Sequence, residues 1–220
     1  MSTVAVLPVK RFEDAKQRLG ETLRGGTRRA LTEAMLTDVL TALRRAKRVD
    51  RVVVVTSEHG ADALARAHSA QAIPDPDEPG HSPAATHGVR WALEQGARRV
   101  LLVPGDCPAL DPAEVDDLLI AHPGRDARVT IVPDRHGTGT NALVITPPDA
   151  IAPSFGPGSR ARHEAAAQAA GAEWRIAEPP SLVLDIDTAD DLAALRAVLD
   201  ARTGGAAHTR GLLAHLGRRG

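Results

Sequence analysis

Aromatic side chains are almost missing from this chain, with two Phe, two Trp and no Tyr. Stacking platforms for single-stranded nucleic acid therefore have little to be built from. One cysteine, Cys107, excludes an internal disulfide and fits a reducing compartment. No apolar run approaches the ~20 residues that a membrane span needs. The strand-like Val4–Leu7 begins at once with no leader pattern before it, so a cytoplasmic location is expected. An excess of either charge is also missing: 27 basic residues face 28 acidic ones, for a net charge of -1. Neither nucleic acid nor a membrane surface is drawn to such a balance. Lysine and asparagine are scarce in a chain rich in Ala, Arg and Gly. Lys10, Lys16 and Lys47 are the lysines and Asn141 the sole asparagine, which draws attention to the places where they remain.

Of the 220 residues, 43% are hydrophobic, enough for one large α/β domain. That domain is expected over residues 1–202, with 203–220 as a Gly/Ala/Arg/His tail, frayed or packed on a partner. Val4–Leu7, Arg51–Thr56 and Val100–Val103 read as buried strands, because a continuous β-branched or aliphatic run suits a strand covered on both faces. Further strands are expected at Val129–Val132, Ala142–Ile145, Trp174–Ala177 and Leu182–Asp187. Leu31, Met35, Val39 and Leu43 recur on one helical face and predict a helix from a Thr27 cap to Ala46. Helices are also expected at Ala61–Ala67, Pro83–Gln95, Pro112–Ala121, Ser159–Ala170 and Asp190–Ala201, with a turn-rich stretch at Pro74–Gly80. The alternation of strand and helix in the first half argues for a parallel sheet with helices on both faces, and the closer later strands for an antiparallel portion.

Ligands of open α/β sheets bind beyond the carboxyl ends of the strands. Asp106 lies just past such an end, behind Gly105. Asp185 and Asp187 are two apart, so in a strand they share a face. Carboxylates converging there would hold Mg²⁺, which completes its shell with phosphate oxygens and water. The loop from Val9 to Leu19 brings Lys10, Arg11, Lys16 and Arg18, cations suited to a triphosphate of about four negative charges. It is no Walker loop, because the glycines are absent. Asp134–Asn141 holds closely spaced glycines and threonines of the kind that cradle anions. Phe155–Ser159 leads into a helix whose expected N-cap is Ser159, and a helix N-terminus attracts phosphate. The nine histidines show no compact metal spacing. His163 stands out because it follows this loop, and Cys107 reads as a small packing residue.

Val9-Lys10 with Ala15-Lys16 and Arg18-Leu19, Gly105-Asp106-Cys107-Pro108-Ala109-Leu110, Gly137-Thr138-Gly139-Thr140-Asn141-Ala142-Leu143, Phe155-Gly156-Pro157-Gly158-Ser159 with His163, and Asp185-Ile186-Asp187-Thr188 occur in that order. In this combination, over about residues 3–200, the chain resembles the 2-phospholactate or phosphoenolpyruvate guanylyltransferases of coenzyme F-420 biosynthesis. The resemblance implies a Rossmann-like three-layer nucleotidyltransferase fold, of nucleotide-diphospho-sugar transferase type, with a mixed, mostly parallel sheet. It implies GTP as substrate, Mg²⁺, pyrophosphate as product and a small phosphorylated carboxylic acid as acceptor. Acceptor contacts carry over to Thr140, Gly156 and Ser159, and metal contacts to Asp106, Asp185 and Asp187. Lys10, Lys16, Arg18 and Ser82 are the expected nucleotide-binding residues, with Lys16 and Asp106 carrying catalysis. Ser82 follows His81 where many relatives have Leu-Asn. A homodimer is expected. The rival activities are a D-x-D glycosyltransferase, read from Asp185–Asp187, and guanylyl transfer to molybdopterin, which the missing glycine-rich loop disfavours. A nucleotide-binding regulator without catalysis is the rival from another class.

Overall fold

A computed structural model describes residues 2–13, 15–20, 23–75, 80–122 and 126–218 of the protein. Asp14 of the cationic loop, residues 76–79 of the turn-rich stretch and the last two residues of the tail lie outside the described residues. Strands β1 (Thr3–Pro8), β2 (Arg51–Val55), β3 (Gln71–Ile73), β4 (Arg99–Leu102), β5 (Arg128–Pro133), β6 (Thr140–Thr146) and β7 (Glu173–Ile176) form one sheet, in the order β3-β2-β1-β4-β6-β5-β7. Every pairing is parallel except the two made by β6 with β4 and β5. The expected mixed, mostly parallel sheet is thus present.

Successive residues of each strand serve opposite faces, as the period of two requires. Ala5, Leu7, Val54, Leu101 and Val144 join helices α1 (Gly25–Arg45), α2 (His59–Ala67) and α4 (Pro112–Ile120) on one side. Val4, Val6, Val53, Val55, Val100, Leu102 and Ile145 join α3 (His81–Glu94) and α5 (Ser159–Ala169) on the other. The central strands read as unbroken apolar runs because both faces are covered. On α3, Gly88 lies so close to the sheet that a Cβ would stand 2.3 Å from Val6 Cγ1. A third cluster unites Leu31 and Met35 of α1 with Leu192, Leu195 and Leu199 of α6 (Ala189–Ala201) and Leu213 of α7 (Ala207–Gly217).

Three expectations are corrected, and one strand is added. Leu182–Asp187 forms no strand. Leu182, Leu184 and Ile186 are buried in alternation with Asp185 and Asp187, so the period of two survives without a ladder partner. Helix α1 begins at Gly25 with Arg24 as its cap residue, and Thr27 is already helical. Strand β3 goes unforeseen because only Gln71–Ile73 takes part, too short for a periodic signal. The pattern-poor tail holds α7, and the carboxylate of Asp38 on α1 accepts from the backbone N–H groups of His208 and Thr209 at 3.1 and 2.8 Å. That pairing satisfies amides a helix start leaves unbonded. Among the described residues no helix is long and apolar enough to cross a membrane.

Between β5 and the last residue of β6, His122 is fully buried. Its Nδ1 and Nε2 meet Thr130 Oγ1 and Thr146 Oγ1 at 2.8 and 3.0 Å. Burial, and then the charges of Arg99, Arg128 and Arg175, push its pKa from 6.5 down to about 3. In this range the unfolded chain binds a proton that the folded one refuses, so stability falls as pH drops below about 6.5. His122→Gln offers the threonines a hydrogen-bonding group that does not titrate. Its melting temperature should fall less steeply than the wild type's between about pH 6.5 and 4, as thermal melts across that range would show.

Candidate active site

Because β6 runs against its neighbours, its first residues lie at the same edge as the last residues of β1, β4 and β5. Over that edge opens a cavity of about 530 Å³. The loop after β1 brings Lys10, Lys16 and Arg18 to its wall, and the loop after β4 brings Gly105 and Asp106. The β5–β6 turn contributes Thr138 to Thr140, the start of α5 contributes Gly156 and Ser159, and the irregular segment before α6 contributes Asp185 and Asp187. These five separate stretches of chain thus meet at one rim, and the topology alone brings them there.

At the acidic end, Lys16 Nζ forms ion pairs with Asp106 and, at 2.9 Å, with Asp187 Oδ1. Its side chain is only 6% exposed. Burial would lower its pKa, but the charges and hydrogen bonds of Asp106 and Asp187 outweigh this and raise it. The backbone of Lys16 is left-handed, with φ at 59°. For a residue with a Cβ this costs about 1–2 kcal/mol, which the two ion pairs help to offset. Asp185 is the third carboxylate. Burial first, then the charges of Asp106 and Asp187, raise its pKa from 3.8 to about 6. Asn141 Nδ2 donates to Leu182 O at 3.0 Å and to Asp185 Oδ1 at 3.3 Å, tying the irregular segment to β6. Asp191 accepts from the backbone N–H groups of Asp187 and Thr188, and Thr188 caps α6 through a reciprocal bond. Asp187 is therefore left to face the cavity. Cys107, directly after Asp106, is buried and its thiol is pushed up by that burial and by the neighbouring carboxylates, as a packing residue would be.

The opposite end is lined by hydroxyls and loop backbone. Gly139 has no room for a side chain, since a Cβ would lie 2.5 Å from Asp134 Oδ2. Gly156 and Gly158 take φ of 106° and 69°, in the left-handed region. Arg162 holds this loop from inside α5. Its guanidinium donates to Ser154 Oγ at 2.9 Å and to the carbonyls of Pro157, Ser154 and Phe155 at 2.5, 3.0 and 3.1 Å. Ser159 is the first residue of α5 and Gly158 its cap residue, which corrects the expected Ser159 cap. The hydroxyl is instead buried, has no hydrogen-bond partner among the described residues and belongs to the cavity wall.

Of the residues singled out from the sequence, Lys10, Lys16, Arg18, Asp106, Thr140, Gly156, Ser159, Asp185 and Asp187 all line this one cavity. Ser82 does not. Its hydroxyl accepts from the Phe155 N–H at 2.8 Å and so supports the loop, while His81 takes the place at the wall and meets the Phe155 ring edge-on at 4.9 Å. Arg162 and Asp191 went unassigned in the sequence. Arg162 acts mainly on loop backbone, a role that leaves no spacing signature. Asp191 instead completes a Thr188-x-x-Asp191 capping box, whose spacing could have found it.

The family described as guanylyl transferase CofC-like matches residues 3–217. The chain belongs to the CofC-like guanylyltransferase family. A phosphoenolpyruvate guanylyltransferase of Conexibacter woesei is 55% identical over 98% of this chain and 97% of its own length. Among solved structures, a protein of Desulfovibrio desulfuricans named as a nucleotide-diphospho-sugar transferase superposes with a TM-score of 0.75 at 18% identity, covering 98% of this chain and 95% of its own. A glucosyl-3-phosphoglycerate synthase from Mycobacterium tuberculosis, in complex with Mn²⁺, UDP and phosphoglyceric acid, does so with a TM-score of 0.55 at 13% identity, covering 80% of this chain and 68% of its own. The fold is that of the nucleotidyltransferases expected, and the chain is an enzyme of the CofC-like kind.

If Arg162 is what holds the loop of this CofC-like site, Arg162→Ala should free it without unfolding the domain. Each bond lost is worth about 1 kcal/mol net, so the amides of Ser154 and Phe155 should exchange with deuterium at least about tenfold faster. Hydrogen-exchange mass spectrometry over the peptide containing residues 154–158 checks this.

Proposed function

We propose that the protein transfers GMP from GTP to the phosphate of phosphoenolpyruvate, or of the related 2-phospho-L-lactate, releasing pyrophosphate in a step of coenzyme F-420 biosynthesis. The observation that carries this reading is the lining of the cavity, which gathers Lys10, Lys16 and Arg18, the three aspartates, and the Thr140 and Ser159 hydroxyls with the Gly156 turn. Two anionic substrates that repel each other need such a site. The phosphoenolpyruvate guanylyltransferase name of the 55% identical relative supports the choice of donor and acceptor.

In this reading the acceptor supplies its own nucleophile. A phosphate monoester with a second pKa near ~6 is largely dianionic at neutral pH. A phosphate oxygen forms a bond to the α-phosphorus of GTP, the bond from α-phosphorus to the bridging oxygen breaks, and pyrophosphate leaves with that electron pair. No activated Ser, Cys or His is required. Lys10 and Arg18, both exposed at the rim, and Lys16 neutralise the departing charge. Thr140, Ser159 and the Gly156 turn orient the acceptor.

The carboxylates fit Mg²⁺, the ion assigned to Asp106, Asp185 and Asp187. Asp106 Oδ1 is buried with no hydrogen-bond partner among the described residues, and burial and the charges of Asp106 and Asp187 raise Asp185 to about 6. A divalent ion, when bound, screens the repulsion between the reacting phosphates. The solved glucosyl-3-phosphoglycerate synthase carries Mn²⁺, which supports a divalent ion in this fold. As the side chains stand, no group of three or more His, Cys, Asp or Glu among the described residues is gathered for a metal, and Lys16 bridges two of the aspartates. Lys16 holds the place of a counter-ion to Asp106 and Asp187, and with an ion bound to those aspartates its ammonium would be free for the triphosphate.

Pyrophosphate release, measured with GTP, Mg²⁺ and phosphoenolpyruvate, 2-phospholactate or 3-phosphoglycerate in parallel, should be fastest with phosphoenolpyruvate. Release with none of them would overturn the reading. EDTA should abolish turnover and added Mg²⁺ restore it. Asp106→Asn should lower kcat by about 10²–10³-fold at nearly unchanged melting temperature, and a near-wild-type rate would remove Asp106 from the reaction.

A further inference from the structure

Thr140 stands at the start of β6, where the cavity wall meets the sheet. Its hydroxyl has one hydrogen-bond partner among the described residues, His163 Nδ1 at 3.0 Å. A hydroxyl both donates and accepts, so this contact alone does not say where the Thr140 proton goes. The other ring nitrogen decides it. The backbone N–H of Ser154 points at His163 Nε2 at 2.9 Å, and a nitrogen that accepts carries no proton. His163 is 0% exposed. Burial, then the charge of Arg162, lower its pKa to about 4, so the ring is neutral at working pH. A neutral imidazole without a proton on Nε2 carries it on Nδ1, and Nδ1–H donates to Thr140 Oγ1. The ring has little freedom to do otherwise, since Phe155 packs edge-on against it at 5.4 Å.

We propose that His163 is a positioning residue that occupies one lone pair of the Thr140 hydroxyl and leaves its proton free for the cavity, so that the ligand group favoured against Thr140 is an oxygen acceptor such as a carboxylate or phosphate. The inference deepens the acceptor-site reading and rests on it. Ser159, buried with an unpartnered hydroxyl in the same wall, has its proton free as well. Together they offer the ligand two hydroxyl protons, and a carboxylate or phosphate oxygen that accepts both is favoured over a ligand hydroxyl or amide N–H, which finds only the remaining lone pairs there. One imidazole also links the 154–158 loop to β6, so the loop that holds the ligand and the strand that donates to it keep a constant relation.

The tautomer can be read on the unaltered protein. Long-range ¹H–¹⁵N correlation of His163 in ¹⁵N-labelled protein at neutral pH should show protonated Nδ1 and unprotonated Nε2. The opposite tautomer, or an imidazolium, overturns the proposal. This result stands apart from activity: if no phosphorylated acid supports pyrophosphate release, the assignment of function fails while the tautomer is still decided. Kinetics then test the role. His163→Asn keeps a donor within reach of Thr140, whereas His163→Phe keeps only bulk. His163→Phe should raise the acceptor KM about tenfold or more, with kcat and the KM for GTP within about twofold and His163→Asn within about threefold of wild type. Thr140→Val should match His163→Phe, and the double variant should lose no more than either single one. A His163→Phe enzyme better than His163→Asn means that the ring only fills space, and additive losses mean that it does not act through Thr140. Either result overturns the proposal.

Discussion

Three aspartates face one buried ammonium at the rim of the sheet, and much of the surrounding structure serves to keep that unequal group in place. Lys16 reaches Asp106 and Asp187 from a loop whose backbone is left-handed at that residue. Asp185, without a share of the ammonium, is raised to about 6 by burial and by its two neighbours. Carboxylates this close repel one another unless a cation stands among them. Asn141 and Asp191 hold the chain on either side of Asp185 and Asp187 against that repulsion, by bonds to backbone and side chain. The arrangement is short of positive charge.

The other end of the cavity is built on the opposite principle. Thr140, Ser159 and Gly156 carry no formal charge, the Asp134 carboxylate stands beside Gly139 in the same wall, and the cations nearby are bonded within the protein. Arg162 is committed to the 154–158 loop and Arg160 to Glu164 and the Gly137 carbonyl. Specific hydrogen-bond donors discriminate among small acids better than a loose positive charge, because they demand position as well as sign. Attraction at one end and orientation at the other suit a reaction that must bring two anions into contact.

Fold class was legible because the central strands are covered on both faces and so read as continuous apolar runs, as Arg51–Val55 and Arg99–Leu102 do. Helix α1 announced itself through Leu31, Met35, Val39 and Leu43, all buried. The Leu182–Asp187 segment misled for a physical reason. Alternating burial requires only a chain running along a surface, and a strand also requires a neighbour with free backbone groups. Helix α7 was hidden because its order comes from a long-range cap, Asp38 on its first amides. Ser159 passed for a cap because N1 and N-cap are one residue apart, and Gly158 with positive φ occupies the cap.

Composition and pattern by themselves determined a balanced, cysteine-poor α/β chain with acidic and basic motifs on separate loops, since charge count and apolar periodicity are local properties of the chain. Only the tertiary structure decided that those loops share one rim, because the reversal of β6 places residue 140 beside the ends of β1 and β4. It alone also paired Lys16 with Asp106 and Asp187, 90 and 171 residues away, withdrew Ser82 to the support of Phe155 and set His163 against Thr140. Such pairings depend on distances in space between segments far apart in sequence, which no spacing along the chain encodes.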